Sequence, residues 1–144
     1  MKALPESIGE LASLEELVLD QCKVLEAIPG SLGQCNNLTR LSLSACKQLK
    51  ALPESIGNCT SLVEVSFAKC FSLIALPDSI GNWGQLEDLV LTKCKALTAL
   101  PDSIGRLNNL SYLNLRSCVN LQSLPPALED LPRLRTLDLL SLIH

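Results

Sequence analysis

Seven cysteines are the residues of this 144-residue chain most suggestive of chemistry, at positions 22, 35, 46, 59, 70, 94 and 118. A metal centre or a disulfide framework would draw on such a set. The spacing argues against both. The count is odd, no Cys-x-x-Cys occurs, and neighbours lie 11, 13 or 24 apart, whereas zinc sites use ligand pairs roughly two to four residues apart. Acids recur after proline at Glu6, Glu54, Asp78 and Asp102. Paired carboxylates can do general acid–base work, but favourable charge at the start of a helical turn accounts for a single such column. The only histidine is the last residue, His144, so imidazole chemistry has almost nothing to work with. Gly81-Asn82-Trp83-Gly84 is too short for a dinucleotide fingerprint, and no Gly-Lys-Ser/Thr occurs. Three Asn-x-Ser/Thr triplets, at Asn37, Asn58 and Asn109, read as coincidences of the repeated pattern. These residues predict neither an enzyme nor a bound metal or cofactor.

Composition narrows the classes further. Twelve basic against fifteen acidic side chains give a formal charge of −3, where a nucleic-acid binder would show a basic excess. The start of the chain has no apolar leader and no stretch approaches the ~18 apolar residues of a membrane span. No nucleic acid and no membrane are expected, and the chain reads as soluble and cytoplasmic. Leucine supplies 33 residues and aromatics only 3 %, which suggests stacked aliphatic layers rather than a pocketed globule.

The elements that must position these residues repeat. Proline falls at 5, 29, 53, 77, 101 and 125, glycine at 9, 33, 57, 81 and 105, and five of the cysteines from 22 to 118, all on a step of 24. The chain divides into six units, 1–24, 25–48, 49–72, 73–96, 97–120 and 121–144, forming one domain. Each unit has two halves. Leu86, Leu89 and Leu91 mark a half-buried strand by their period of two, as do Leu110, Leu113 and Leu115. The half Leu-Pro-Asp/Glu-Ser-Ile-Gly cannot extend a strand: proline starts a helical turn, and glycine is expected to end it in the left-handed conformation. Ile8, Leu32, Ile56, Ile80 and Ile104 should point inward from that turn.

The pattern Leu86-x-x-Leu89-x-Leu91-x-x-Cys94-x-x-Leu97 resembles the leucine-rich repeat, and the resemblance covers the whole chain. It implies an α/β fold: a curved, right-handed solenoid with parallel strands on the concave face and short helical or 3-10 turns on the convex face. The Leu-Pro-x-Ser-Ile-Gly spacer and the cysteine are most similar to repeats of plant intracellular (TIR-type nucleotide-binding) disease-resistance receptors. Similar spacers occur in Ras-pathway scaffold proteins with leucine-rich repeats.

Stacking explains the sequence on its own terms, because one unit cannot bury its two apolar sides whereas neighbours bury them for each other. The five periodic cysteines fall just beyond each strand, turned into the core. Cys35 and Cys59 occupy a slot filled elsewhere by Leu11, Trp83, Leu107 and Leu131. All seven are read as structural thiols, small hydrophobes in apolar slots. The last unit departs from the pattern, with Ala127 for Ser, Glu129 for Gly and Leu142 for Cys. The first lacks a polar cap ahead of it, so the chain is expected to be a segment of a longer receptor or to self-associate through an exposed end.

Function is then expected where the repeat stops repeating. Side chains between the strand leucines should face away from the core, giving three columns. Glu16, Arg40, Glu64, Asp88, Tyr112 and Thr136 form the first; Val18, Ser42, Ser66, Val90, Asn114 and Asp138 the second; Asp20, Ser44, Ala68, Thr92, Arg116 and Leu140 the third. Beyond the strands come Lys23, Lys47, Lys69, Lys93, Lys95 and Phe71. Acids at Glu16, Glu64 and Asp88 on one side and lysines on the other would orient a protein partner, with Tyr112 and Arg116 as its anchor pair. Two functions stand open: recognition of a ligand or effector in plant defence, which the resemblance implies, or a freestanding signalling scaffold.

Overall fold

The computed structural model describes residues 2–140; His144 and Leu142, on which two of the expectations above rest, lie outside them. Six three-residue strands form one parallel sheet in chain order: β1 Glu16–Val18, β2 Arg40–Ser42, β3 Glu64–Ser66, β4 Asp88–Val90, β5 Tyr112–Asn114 and β6 Thr136–Asp138. Registration is by whole units, Leu17 opposite Leu41, Val65 and Leu89 in turn. A 3-10 turn returns the chain in every unit: Glu6–Glu10, Gly30–Gln34, Glu54–Asn58, Asp78–Asn82, Asp102–Arg106 and Pro126–Asp130. Each is preceded by an extended proline, whose fixed φ suits the residue before a helical turn.

Between the sheet and the turns lies one apolar core. Leu38, Leu41 and Leu43 of the second unit and their equivalents in the next three units are almost wholly sealed from solvent, as are Leu32, Ile56, Ile80 and Ile104. Ile8, in the first unit, is only half-buried, with a neighbouring described layer on one side alone. Full burial of one leucine contributes roughly 1.5–3 kcal/mol, and here each layer obtains it from its neighbours. The end layers do not: Leu14 and Leu19 at one end and Leu134 and Leu139 at the other are partly buried, while Leu137 and Leu140 are exposed.

The periodic glycines serve a purpose other than the expected one. None has a positive φ. A Cβ on Gly57 would instead sit 2.5 Å from both the Cβ and the carbonyl oxygen of Ser79, and on Gly9 2.5 Å from the carbonyl of Ser31. Glycine is required because successive turns stack backbone to backbone. The left-handed conformation occurs one residue before each periodic cysteine, at Gln21, Ala45, Lys69, Lys93 and Ser117, with φ of 61 to 65°. There the amide turns onto the next unit: Lys69 N–H donates to the Thr92 carbonyl at 2.7 Å and Lys93 N–H to that of Arg116 at 2.8 Å.

A second backbone ladder runs behind the strands. Glu26 N–H donates to the Lys2 carbonyl at 2.9 Å and Ile74 N–H to that of Lys50 at 3.1 Å, with the Ala3–Ala27 bridge at its start. The chain is thus tied to its neighbour on both sides of the core, which satisfies backbone groups that stacking removes from water.

Candidate surface for a protein partner

The cysteines are part of the frame. All seven are free, and six are buried; Cys22, in the open first layer, is half-buried. Cys46, Cys70, Cys94 and Cys118 donate their thiols to the carbonyls of Leu19, Leu43, Phe67 and Leu91, 2.9 to 3.2 Å away in the preceding unit. Burial pushes the thiols of Cys46 and Cys59 up to about 11 and that of Cys70 to about 12. It raises Cys35, Cys94 and Cys118 as well. Thiols held protonated in this way are poor nucleophiles and poor ligands. Among the described residues, no group of three or more His, Cys, Asp or Glu side chains is placed to hold a metal ion.

The concave face carries the variable columns. Its first column alternates in charge where it matters most: Arg40 and Glu64, in register on β2 and β3, pair at 3.6 Å. Glu16, Asp88 and Tyr112 continue it in register across the sheet. Around its centre lies a shallow depression of about 110 Å3, lined by Arg40, Ser42, Glu64, Ser66, Asp88 and Val90 among others. Tyr112 and Arg116 each have separate partners: the Tyr112 hydroxyl accepts from Asn114 Nδ2 at 2.9 Å, and Arg116 pairs with Asp138 of β6 at 3.6 Å.

Ser42 departs from the alternation that placed it outward. It is buried, because its hydroxyl donates to Asp20 Oδ1 at 2.5 Å and neighbouring hydroxyls close over it. The same carboxylate oxygen accepts the Ser44 N–H at 3.0 Å, and the Ser44 and Ser66 hydroxyls lie 2.8 Å apart. No pattern within one unit signals this network, since its members come from three units. Pattern reading also missed a groove of about 670 Å3 on the flank, lined by Glu87, Asn109, Arg133 and Arg135 among others. Arg133 and Arg135 stand where the preceding unit has Asn109 and Ser111, a substitution within the repeat that could have pointed to it.

The lysines lie beyond the strand ends. The ammonium groups of Lys95 and Lys47 sit 4.8 and 5.5 Å from the centre of the Phe71 ring, the residue at the same position in the unit between them. Lys69 and Lys93 occupy left-handed positions in consecutive units.

Comparison with known proteins agrees with this architecture. Residues 37–59 match the family described as Leucine Rich Repeat. No curated protein matches the sequence. A leucine-rich repeat protein of Leptospira interrogans is structurally similar, with a TM-score of 0.60 and 26 % identity, over 98 % of this chain and 52 % of its own. The leucine-rich repeat domain of the type III effector XopL is similar at a TM-score of 0.53 and 22 % identity, over 97 % of this chain and 73 % of its own. The fold is that of a curved leucine-rich repeat solenoid of six units. The chain spans about half the length of the Leptospira protein that it resembles. Among the described residues, no helix is long and apolar enough to cross a membrane.

Proposed function

We propose that this chain is a non-catalytic interaction module that binds a protein partner on its concave face. One observation carries the reading. Core positions recur unit after unit, whereas the three outward columns of the sheet hold five, four and six residue types over six units. Stacking dictates the former and leaves the latter free. Glu16, Arg40, Glu64, Asp88, Tyr112 and Arg116 are the contact residues proposed on the strands, with Lys69, Phe71, Lys93 and Lys95 at their rim. Tyrosine and arginine supply large, partly apolar contact area, which is why they are frequent at binding hot spots.

The finer reading is ligand or effector recognition in plant innate immunity, in the cytoplasm, as part of a longer receptor. The Leu-Pro-x-Ser-Ile-Gly spacer and the cysteine after each strand support it. A second reading, a freestanding scaffold or self-assembling protein, is favoured by the exposed Leu137 and Leu140 of the last described layer.

Co-purification followed by mass spectrometry, with Tyr112→Ala and Arg116→Glu as paired controls, tests the proposal. A partner that the wild type retains and both variants lose supports the concave face. A partner retained equally by all three places the contact elsewhere. A concentration-dependent increase in mass by light scattering, abolished by Leu137→Glu, would favour self-assembly.

A further inference from the structure

We infer that the edge where the strands end is a docking site for an acidic peptide segment, seated along Lys47, Lys69, Lys93 and Lys95 with Phe71 at its centre. This rests on the reading of the chain as a protein-interaction module and names the chemistry of its partner.

Charge is the first observation. The segments that follow β2 to β5, residues 44–50, 68–74, 92–98 and 116–122, contain these four lysines, Lys50 and Arg116 but not one aspartate or glutamate, whereas the segment after β1 carries Asp20 and Glu26. The whole chain nevertheless has a formal charge of −3, so the cations are concentrated here rather than spread. Among the described residues the ion pairs are Arg40–Glu64 and Arg116–Asp138, and none of these four lysines takes part. The nearby carboxylate of Asp20 is occupied by Ser42 and Ser44.

The second observation is that this arrangement works against the stability of the chain. Adjacent strands lie about 4.8 Å apart, so lysines in successive units fall well within a Debye length of about 8 Å and repel one another. Lys69 and Lys93 are also held at φ 61°, a conformation that costs any residue with a Cβ. The turn itself does not require a cation, since Gln21, Ala45 and Ser117 make the same turn in other units. A row of like charges at one edge, which the fold does not need, indicates selection for something outside the fold.

Phe71 supplies the third. It replaces the lysine found at its position in the units on either side, and its ring holds the ammonium groups of Lys47 and Lys95 at 5.5 and 4.8 Å from its centre. The cation–π attraction fixes two otherwise floppy side chains. A half-exposed apolar ring between two fixed cations suits a peptide with carboxylates flanking an apolar side chain. The row spans only three units, about 10 Å at the strand spacing, which matches a short extended segment.

Fluorescence anisotropy with fluorescein-labelled octaglutamate tests this, with octaglutamine as the uncharged control. Saturable binding of octaglutamate is expected at low salt, weakening in ~0.3 M salt. The double variant Lys47→Glu, Lys95→Glu should weaken it about tenfold or more; Phe71→Ala should weaken it with charge unchanged, and the remote Glu129→Lys should not. All of these positions are at the surface, and circular dichroism checks that each variant is folded. The inference is overturned if octaglutamate does not bind, if the lysine variants bind as the wild type does, or if oligothymidylate or phosphatidylserine vesicles bind equally well through the same lysines. If octaglutamate fails while a partner still depends on Tyr112 and Arg116, the edge assignment falls and the concave-face reading stands.

Discussion

The indole N–H of Trp83 donates to the carbonyl of Ile56 at 2.9 Å, doing in the fourth unit what the thiol of Cys59 does for the Leu32 carbonyl in the third at 3.4 Å. Both side chains are fully sealed. A large ring and a small thiol fill one slot of the repeat because each offers an apolar body and a donor aimed at the turn of the preceding unit. The Ile56 carbonyl also accepts the Cys59 N–H at 3.1 Å, so it is not orphaned when the indole is removed. Trp83→Phe should therefore cost about 1 kcal/mol for the lost bond. Trp83→Ala, which opens a cavity, should cost about 3–5 kcal/mol. Urea unfolding followed by circular dichroism separates the two.

Cysteine titration should make the protein sensitive to alkali. The buried thiols ionise at about 11 to 12 in Cys46, Cys59 and Cys70, against 9.0 for an ordinary thiol. The folded state then holds protons that the unfolded state has released. Stability is unaffected well below pH 9, the ordinary thiol value, and is lost as pH rises towards 11–12. The loss is on the order of 1 kcal/mol per thiol per pH unit. Urea midpoints under reductant at neutral pH and at successively higher pH should fall, and Cys70→Ala should flatten the decline. Equal midpoints across that range would contradict the burial of the thiols.

Thiol counting offers a cheaper check on the same frame. Native protein should react with a thiol reagent at Cys22 first, the one cysteine that is only half-buried. Denatured, non-reduced protein should give all seven. Five or fewer would mean that a disulfide had formed.

Glycine substitutions should divide by position. Gly57→Ala puts a methyl group 2.5 Å from backbone and side chain of Ser79, and with two stacked turns unable to separate it should cost at least about 1–3 kcal/mol. Gly84 meets nothing within 4 Å and has no positive φ. Gly84→Ala should stabilise by about 0.4–1 kcal/mol, through the unfolded chain. Thermal unfolding of the pair reads both signs.

The left-handed column predicts a third contrast. Ala45, at φ 62°, carries a Cβ in a conformation that costs about 1–2 kcal/mol. Ala45→Gly should recover part of that cost. Ala45→Val, β-branched and stiff, should destabilise by a further ~1 kcal/mol or more.

Much of the architecture could be read before any coordinate. Spacing on 24, the two-residue alternation of Leu86, Leu89 and Leu91, and the inward isoleucines are properties of a short stretch of chain, and the strands and turns formed there. The candidate surface was legible in part. Lys47, Phe71 and Lys95 share a repeat position, and the structure brings them together. Tyr112 bonds to Asn114 and Arg116 to Asp138 of the next strand, contacts that alternation within one unit does not name. Ser42 breaks alternation because Asp20, a unit away, captures its hydroxyl.

The sequence alone determined the period, the two halves of each unit and which face of each strand is apolar, because backbone stiffness and side-chain alternation act over a few residues. Only the tertiary structure decided why the turns need glycine, which residues take the left-handed corner, where the second backbone ladder runs and which charges pair. All of these depend on atoms about 24 residues distant that stacking brings within contact, and no local pattern records the distance between two stacked turns.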